Sequence, residues 1–208
     1  MPAPTPVPAA VPNRRERNKQ RTKERIYTAA LELFAEKGFD HTSIEEITER
    51  ADVARGTFFT HFQNKDALVC AWSENRRAEL AERLHKTEED RGDGCALKHC
   101  VTALVDVNGA ESQRLNGMML NSWVKAGLPI TESPDTAEII TDLVRADIAA
   151  GRITADVNPV RVGNLLRDAY LGALFRQGRE GVPNEAVAEE LYWTVDVLMH
   201  GIAGRPAG

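Results

Sequence analysis

The sequence predicts an all-α protein of about nine helices. Apolar residues recur at intervals of three and four residues through nearly every segment that follows the proline-rich start, which is the period of an amphipathic helix. Breaks that contain glycine or proline divide the chain into segments of helical length. No segment alternates apolar and polar residues with the period of two that is typical of a strand, and the sequence shows no internal repeat.

The first three expected helices are short and close together. The first ends at a stop at Gly38. The second opens on a capping-box pattern, in which we expect Thr42 to cap the helix and Glu45 to reach back to its start. After a short break, the third helix places Phe58 and Phe62 one turn apart. These spacings predict a small helical bundle with an apolar core.

Six further helices are expected in the rest of the chain. The fourth carries an apolar stripe that includes Trp72 and Leu80. The others are expected at about residues 95–108, 112–126, 135–150, 159–179 and 184–202. Asn158 precedes a proline at the first helical position and should cap the eighth helix, and Asn184 should do the same for the ninth.

Charge is unevenly distributed along the 208 residues. The formal net charge is -5, which at first argues against a nucleic-acid partner. Residues 1–65 nevertheless hold eleven Lys and Arg against nine Asp and Glu, and seven of those basic residues lie between Arg14 and Arg25. The chain therefore combines an acidic body with a basic front end.

Composition also bounds the class of protein and its compartment. No apolar run approaches the roughly 20 residues that cross a bilayer, so a membrane protein is excluded. Three cysteines are too few for a disulfide framework, which favours a reducing compartment. Prolines interrupt the apolar start, so we expect a disordered tail over residues 1–18 rather than a secretory signal, and a cytoplasmic protein.

The three short helices match the helix-turn-helix arrangement, in which the second helix braces the third and the third enters the major groove of DNA. Arg55, Thr57 and Thr60 would lie on the exposed side of the third helix. An arginine can donate two hydrogen bonds to guanine, and a threonine can bond a base or touch a thymine methyl. The helix starts near Ser43 and Lys65 would offer N–H groups to phosphates.

Four stretches of this region carry a family resemblance. They are, in order, TSIEEI at 42–47, ADV at 51–53, GTFFTHF at 56–62 and NKDAL at 64–68. Together they resemble the DNA-binding signature of tetracycline-repressor-type (TetR) regulators, over about residues 20–70 or roughly a quarter of the chain. The resemblance implies DNA contacts at the following residues: Thr42, Ser43, Arg55, Gly56, Thr57, Phe59, Thr60, His61 and Lys65. Its position just before a helix-turn-helix also suggests that the basic run Arg14 to Arg25 contacts DNA as an arm.

The chain departs from the family pattern at three positions. Asp52 stands where the family usually has glycine, and aspartate tolerates the left-handed geometry of that turn. Ala54 stands where a serine or threonine commonly caps the third helix, so that cap is expected to be absent or supplied otherwise. Phe59 stands where the family often has tyrosine, so it lacks a hydroxyl for a phosphate.

The resemblance further implies that the later helices bind a ligand and form a homodimer. The last two helices are apolar over a broad face and would pair with the same helices of a second copy. That face is expected to comprise Leu165, Leu166, Ala169, Tyr170, Ala173, Leu174, Val187, Leu191, Val195, Leu198 and Ile202. The helix-turn-helix domains of the two copies would then contact half-sites roughly 34–36 Å apart on a near-palindromic operator in double-stranded DNA.

A pocket for a small, largely apolar effector is expected between the middle helices. Its candidate walls are aromatic and methionine side chains: Trp72, Met118, Met119, Trp123, Tyr170 and Phe175. Asn121, Arg167 or His99 could supply polar anchors. Ligand binding should shift the fourth helix and so change the separation of the two recognition helices.

Two other classes of function fit less of the sequence. Cys95, His99 and Cys100, with His85 upstream, could form a metal or thiol-redox sensor, although structural zinc sites more often contain a tight Cys-x2-Cys pair. The chain carries no nucleophile elbow, phosphate loop, zinc-protease or dinucleotide motif, so we expect neither an enzyme nor a cofactor.

The sequence therefore predicts a TetR-type transcriptional regulator, with repression as the sign of regulation that the family favours. We expect a helix-turn-helix domain over residues 19–66, an effector-binding and dimerisation domain over 67–203, and a tail over 204–208.

Overall fold

The computed structural model describes residues 13–88, 96–127 and 135–201 of the chain. Within those residues the backbone forms nine α-helices and no strand, so the predicted all-α fold is confirmed. In chain order the helices are α1 (Arg14–Lys37), α2 (Ile44–Arg50), α3 (Arg55–His61), α4 (Asp66–Glu88), α5 (Ala96–Gly109), α6 (Gln113–Lys125), α7 (Thr136–Ala149), α8 (Pro159–Glu180) and α9 (Asn184–His200). The chain divides into two compact units, Met1–Lys65 and Asp66–Gly208.

The first helix begins earlier than the sequence analysis expects. Residues 14–18, which were assigned to a disordered tail, are the first turns of α1. A capping box explains this start, because the Glu16 N–H donates to the Asn13 side chain at 3.0 Å and the Asn13 N–H donates to the Glu16 carboxylate at 2.9 Å. The basic run is therefore helical. The rest of the expected tail, residues 1–12, lies outside the described residues.

The cap of α2 is displaced by one residue from its expected position. Ser43, not Thr42, caps the helix, and Glu46, not Glu45, reaches back to it. Thr42 is buried, and its hydroxyl donates to the Gly38 carbonyl at 2.8 Å. Thr42 thus closes the loop that enters the helix, while the next hydroxyl along the chain makes the cap.

The turn between α2 and α3 has left-handed backbone geometry at Asp52, where φ is 49°. Aspartate adopts this conformation more readily than most residues, as the sequence analysis expects. The guanidinium of Arg25 stabilises the turn, because it donates to the Ala51 carbonyl at 2.5 Å and to the Asp52 carbonyl at 3.0 Å. Ala54 occupies the cap position before α3, and no side chain caps that helix, as expected for an alanine there.

The core of the first unit forms around the aromatic side chain of Phe58. Ile26, Phe34 and Ile47 also belong to the apolar core of this unit, and all four side chains are fully buried. The rings of Phe58 and Phe62 lie one helical turn apart, with centroids separated by 5.8 Å. Helix α3 is therefore anchored by one apolar side, which leaves its opposite side exposed.

In the second unit, the helix ends lie within two residues of the expected positions. Asn158 caps α8, where it accepts from the Arg161 N–H at 3.1 Å, as predicted. The prediction for α9 is wrong, because Pro183 occupies the cap position and no side chain caps that helix. Asn184 instead donates to the Val105 carbonyl at 3.1 Å, so its amide joins the start of α9 to α5.

Two glycine contacts bring helix backbones of the second unit together. A Cβ atom at Gly117 of α6 would lie 2.7 Å from the Cα atom of Gly178 in α8. A Cβ atom at Gly163 of α8 would lie 2.5 Å from the carbonyl oxygen of Ala137 in α7. Because real Cβ contacts are not this short, both contacts depend on glycine.

The structure corrects most of the apolar face that was expected to join two copies. Seven of its residues are buried within their own chain: Leu166, Tyr170, Ala173, Leu174, Val187, Leu191 and Val195. Ala169 and Leu198 are half-buried, and Ile202 lies outside the described residues. The sequence alone does not distinguish an apolar stripe that packs in the core of its own chain from one that contacts a partner. Of the expected residues, Leu165 is exposed.

None of the helices in the described part of the chain combines the length and apolar character needed to cross a membrane.

Candidate functional site

The exposed side of α3 presents a short surface of mixed chemistry. Four residues expected at DNA are exposed: Arg55, Gly56, Phe59 and Thr60. Thr57 and His61 are half-buried. The hydroxyl of Thr60 donates to the Gly56 carbonyl at 3.1 Å, and its oxygen can still accept from a partner. The structure therefore brings together the α3 residues singled out from the sequence.

Arg55 is the cation of this surface. Its guanidinium lies 2.8 Å from the Glu45 carboxylate and 6.0 Å from the centroid of the Phe59 ring. Both members of the Arg55–Glu45 pair are more than half exposed, and exposed ion pairs contribute little free energy. The guanidinium can therefore exchange this partner for a base edge or a phosphate.

Gly56 has no packing reason to be glycine. A Cβ atom at this position would meet nothing within 4 Å, and no positive φ is recorded there. Glycine destabilises a helix relative to alanine by about 0.5–1 kcal/mol. Neither packing nor backbone geometry within the unit therefore requires glycine at this exposed position.

The remaining residues expected at phosphates are engaged within the first unit. The Ser43 hydroxyl donates to the Glu46 carboxylate at 2.7 Å, and Lys37 and the Ser43 N–H together lower the pKa of Glu46 to about 2. The Lys65 ammonium donates to the Phe39 carbonyl at 2.6 Å and also to the Thr42 carbonyl. Ser43, Thr42 and Lys65 thus hold the loop before α2, a role that the sequence analysis missed.

The basic part of α1 lies beside the end of α3. The Lys23 ammonium is 5.8 Å from the centroid of the Phe62 ring. Partial burial lowers the pKa of His61, and the charges of Lys19 and Lys23 lower it further. The two lysines are one helical turn apart, so they share a face of α1. Positive charge from α1 therefore adjoins the exposed surface of α3. The number of basic residues in the sequence does not indicate this position.

A second candidate site is a cavity of about 60 Å³ in the second unit. Three of the expected wall residues line it, namely Trp72, Trp123 and Tyr170. Met118, Met119 and Phe175 are not among its lining residues. On α6 the lining residues are Leu120 and Trp123. Met119 is instead fully buried in the core, and Met118 is half-buried outside this lining.

Phe175 and Asn121 instead line a separate groove on the surface of α6 and α8. Phe175 follows the cavity residue Leu174 by one position, so it faces a different direction. Of the expected polar anchors, Arg167 lines the cavity, whereas Asn121 and His99 do not.

The sequence analysis missed the main polar group of the cavity, which is Arg76. Its guanidinium carbon lies 4.8 Å from the Trp72 ring, and its side chain is 11% exposed. The Trp72 indole N–H donates to the Glu111 carboxylate at 2.7 Å. Arg76 follows Trp72 by one helical turn, and this spacing was the available signal.

The cysteine cluster does not support a metal or redox sensor. Cys100 is fully buried, and burial raises the pKa of its thiol to about 12, so the reactive thiolate is suppressed. The described residues contain no group of three His, Cys, Asp or Glu side chains that could hold a metal ion. Cys95 lies outside the described residues.

Residues 26–71 match a family described as "Bacterial regulatory proteins, tetR family". The HTH-type transcriptional regulator YvdT of Bacillus subtilis is 40% identical over 70 residues, and TcmR of Streptomyces glaucescens is 40% identical over 68 residues. These matches cover 32% and 31% of this chain, and 36% and 30% of the two relatives. The chain thus spans about a third of the length of these relatives.

Similarity extends through the second unit as well. The solved structure of FadR from Thermus thermophilus, a TetR family transcriptional repressor in complex with lauroyl-CoA, is 27% identical with a TM-score of 0.70. That likeness covers 89% of this chain and 97% of FadR. The chain therefore carries the DNA-binding signature of the TetR family over residues 26–71 and resembles a TetR repressor over most of its length. The HTH-type transcriptional regulator UidR of Escherichia coli K12 is 26% identical over 180 residues, which are 80% of this chain and 87% of UidR.

In this chain the α3 surface belongs to the first unit and the cavity belongs to the second. The family signature falls on the first unit and the first six residues of α4, which is where the residues expected at DNA lie.

Proposed function

We propose that this protein is a transcriptional repressor that binds double-stranded DNA through α3 and leaves it when a small-molecule effector binds the second unit. The observation that carries the proposal is the exposed face of α3. Arg55, Phe59 and Thr60 are exposed on a helix whose opposite side is anchored by the buried Phe58. A short helix braced in this way can enter a major groove and contact base edges.

The basic half of α1 supports the same proposal. The charges of Lys19 and Lys23 lower the pKa of His61, so the positive charge of α1 adjoins the end of α3. Lysine and arginine next to a base-reading helix neutralise phosphates, and the released counterions favour binding at low salt. In this proposal, the basic run acts as a helix rather than as a disordered arm.

The effector is proposed to bind at the cavity in the second unit. Indole and phenol side chains from three helices meet there: Trp72, Trp123 and Tyr170. The related FadR of Thermus thermophilus was solved in complex with lauroyl-CoA, and SmeT of Stenotrophomonas maltophilia is described as the repressor of a multidrug efflux pump. We therefore extend ligand control of repression to this chain, with an effector that is largely apolar.

We also propose a homodimer through α8 and α9. These helices expose large apolar side chains that no core requires, notably Leu165 at 55% and Trp193 at 65% exposure. Exposed apolar surface of this kind is typical of a protein interface. Two copies would place their α3 helices on half-sites roughly 34–36 Å apart, and sedimentation of the purified chain measures the association directly.

Selection of bound DNA from a random pool tests the central proposal. We expect enrichment of a near-palindromic sequence, since a symmetric pair of heads reads two equivalent half-sites. The same sequence should occur upstream of genes that neighbour the coding sequence. A pool that stays unenriched at moderate salt would contradict sequence-specific binding.

The first variant that tests the α3 surface is Arg55→Ala. It is expected to weaken binding to the selected operator by about 1–3 kcal/mol and to relax preference at one base pair. Titration of labelled operators with single base changes measures both effects. Arg145→Ala is the control, because Arg145 is equally exposed on α7 and pairs with Asp142 at 2.7 Å. A uniform loss across all base changes would mean that Arg55 binds phosphate only.

A second variant, Gly56→Ala, is expected to change stability and DNA affinity in opposite directions. The added methyl group meets no atom of the free unit, and alanine stabilises a helix by about 0.5–1 kcal/mol relative to glycine. The same methyl group would obstruct a closely approaching DNA backbone, so operator affinity should fall by about tenfold or more. Thermal unfolding and operator titration of one preparation measure the two effects. Unchanged affinity would show that DNA does not approach this position.

A further inference from the structure

Arg76 is a largely buried cation whose ion-pair partner lies 3.6 Å away. Its guanidinium donates to four neutral acceptors: the Val107 carbonyl at 3.2 Å, Asn116 at 3.2 Å, Asn108 at 3.4 Å and the Tyr170 hydroxyl at 2.9 Å. Of the described carboxylates, the one that pairs with it is Glu111, at 3.6 Å. Charge-assisted hydrogen bonds between nitrogen and oxygen are about 2.7–2.9 Å long. A largely buried guanidinium without a carboxylate at that distance keeps part of its desolvation cost.

The neighbouring carboxylate is held away from Arg76 by another donor. The same Glu111 oxygen that faces Arg76 accepts the Trp72 indole N–H at 2.7 Å. This bond fixes the carboxylate on the Trp72 side. The guanidinium of Arg76 therefore lines the cavity with its charge only partly compensated.

A second arginine of the cavity, Arg167, has its close counterion outside the cavity lining. Arg167 lies 3.4 Å from the Asp135 carboxylate, which is longer than a charge-assisted hydrogen bond. Asp135 is committed elsewhere, because its other oxygen caps α7 by accepting the Glu138 N–H at 2.8 Å. The closer partner of Arg167 is Asp168, which is 63% exposed and outside the cavity lining.

The lining combines this positive charge with an apolar wall. Among the described residues that line the cavity, three are arginines, namely Arg76, Arg77 and Arg167, and one is a carboxylate, Asp135. Much of the remaining wall is indole and aliphatic: Trp72, Leu80, Leu104, Leu120, Trp123 and Leu174. A neutral ligand would leave Arg76 as it is, and an ammonium ligand would meet three guanidinium groups.

We infer that the effector is an amphipathic organic anion, with a carboxylate that binds Arg76 and Arg167 and an apolar body that packs between the two indoles. This inference rests on the proposed function, since it names the ligand class of the same cavity. The present void of about 60 Å³ holds no more than a head group. The apolar body must enlarge the cavity, so the ligand selects a second, more open arrangement of these helices.

The wild-type chain tests the inference with three probes that differ only in the head group. Octanoate, 1-octanol and octylammonium present the same alkyl chain as an anion, a neutral molecule and a cation. Titration calorimetry should give octanoate a dissociation constant about tenfold or more below the other two. Equal or tighter binding of the alcohol or the ammonium would overturn the inference. So would a failure of every straight-chain carboxylate of about six to twelve carbons to bind.

Two variants of α4 locate the anion. Arg76→Met keeps the long side chain and removes the charge, and the preference for octanoate over 1-octanol should fall to about twofold or less. Arg83→Met is the matched control, because Arg83 pairs with Glu79 at 2.7 Å and lies outside the cavity lining. Preference that survives Arg76→Met would overturn the assignment. If that variant fails to fold, Arg76→Lys and the wild-type series still decide the question.

These binding experiments contain no DNA, so they separate the inference from the proposed function. A chain that binds octanoate selectively but no DNA sequence would contradict the repressor proposal alone. A chain that binds a palindromic DNA but no carboxylate would contradict the anionic effector alone.

Discussion

Replacement of Phe58 with alanine is expected to destabilise the first unit by about 3–5 kcal/mol. The ring is fully buried, so its removal leaves a cavity that a unit of this size cannot easily close. Because small units have a total stability of only about 5 kcal/mol, most molecules should lose the α3 surface at ambient temperature. Chemical denaturation followed by circular dichroism measures the loss, and operator binding should disappear with it.

Phe59→Ala is the matched control for this prediction. Phe59 is the next residue of the same helix but is 47% exposed, so its truncation should change the stability by about 0.5 kcal/mol or less. Any loss of operator affinity in Phe59→Ala then reports a contact with DNA rather than unfolding. Equal destabilisation by both variants would show that α3 is not anchored through Phe58.

The second large effect is expected for Gly163→Ala. A Cβ atom at this position would lie 2.5 Å from the Ala137 carbonyl, which belongs to a helix backbone and cannot move aside as a side-chain tip can. The two helices must separate, and overpacking of this kind costs about 1–3 kcal/mol or more. Thermal unfolding of the second unit measures the effect, and octanoate binding should weaken because Arg167 and Asp135 belong to the same pair of helices.

Gly172→Ala provides the comparison on the same helix. The nearest atom to a Cβ there is the end of the flexible Arg176 side chain at 3.4 Å. We expect a stability change of about 1 kcal/mol or less, with a favourable sign from helix propensity. If both glycine variants behave alike, the backbone contact between α7 and α8 does not limit the stability of the second unit.

The helices were predictable because their ends are marked chemically. Gly127, Gly151 and Gly181 adopt positive φ at or just beyond helix ends, a conformation that glycine tolerates and most residues do not. Such stops act locally, so they can be recognised without knowledge of the tertiary structure.

The caps were less predictable because adjacent residues compete for them. Thr42 with Glu45 and Ser43 with Glu46 satisfy the same pattern, and the sequence cannot choose between them. The choice depends on burial, since Thr42 bonds the Gly38 carbonyl inside the unit. At the start of α1, by contrast, Asn13 and the glutamate three residues later form an available signal that the basic composition obscured.

In the candidate sites too, features set by local spacing were predictable, and features set by the packing of helices were not. Arg55 and Thr60 could be placed on the outside of α3 because the spacing of Phe58 and Phe62 fixes the inner face. The cavity depends on which apolar stripe faces which helix, and Met119 fits the core as well as a pocket wall. Arg76 was missed because a charged residue within an apolar stripe is normally assigned to solvent.

The glycine contact between α6 and α8 has a mechanical consequence for the second unit. Where Gly117 meets Gly178, two backbones touch directly, and Gly163 does the same between α8 and α7. These three helices therefore form a stiff wall whose members cannot slide or part without breaking main-chain packing. Helix α4 lines the cavity with long side chains such as Trp72 and Arg76, whose hydrogen bonds a ligand can exchange without breaking a contact between helix backbones. When a ligand enlarges the cavity, α4 is therefore expected to move before α6, α7 or α8.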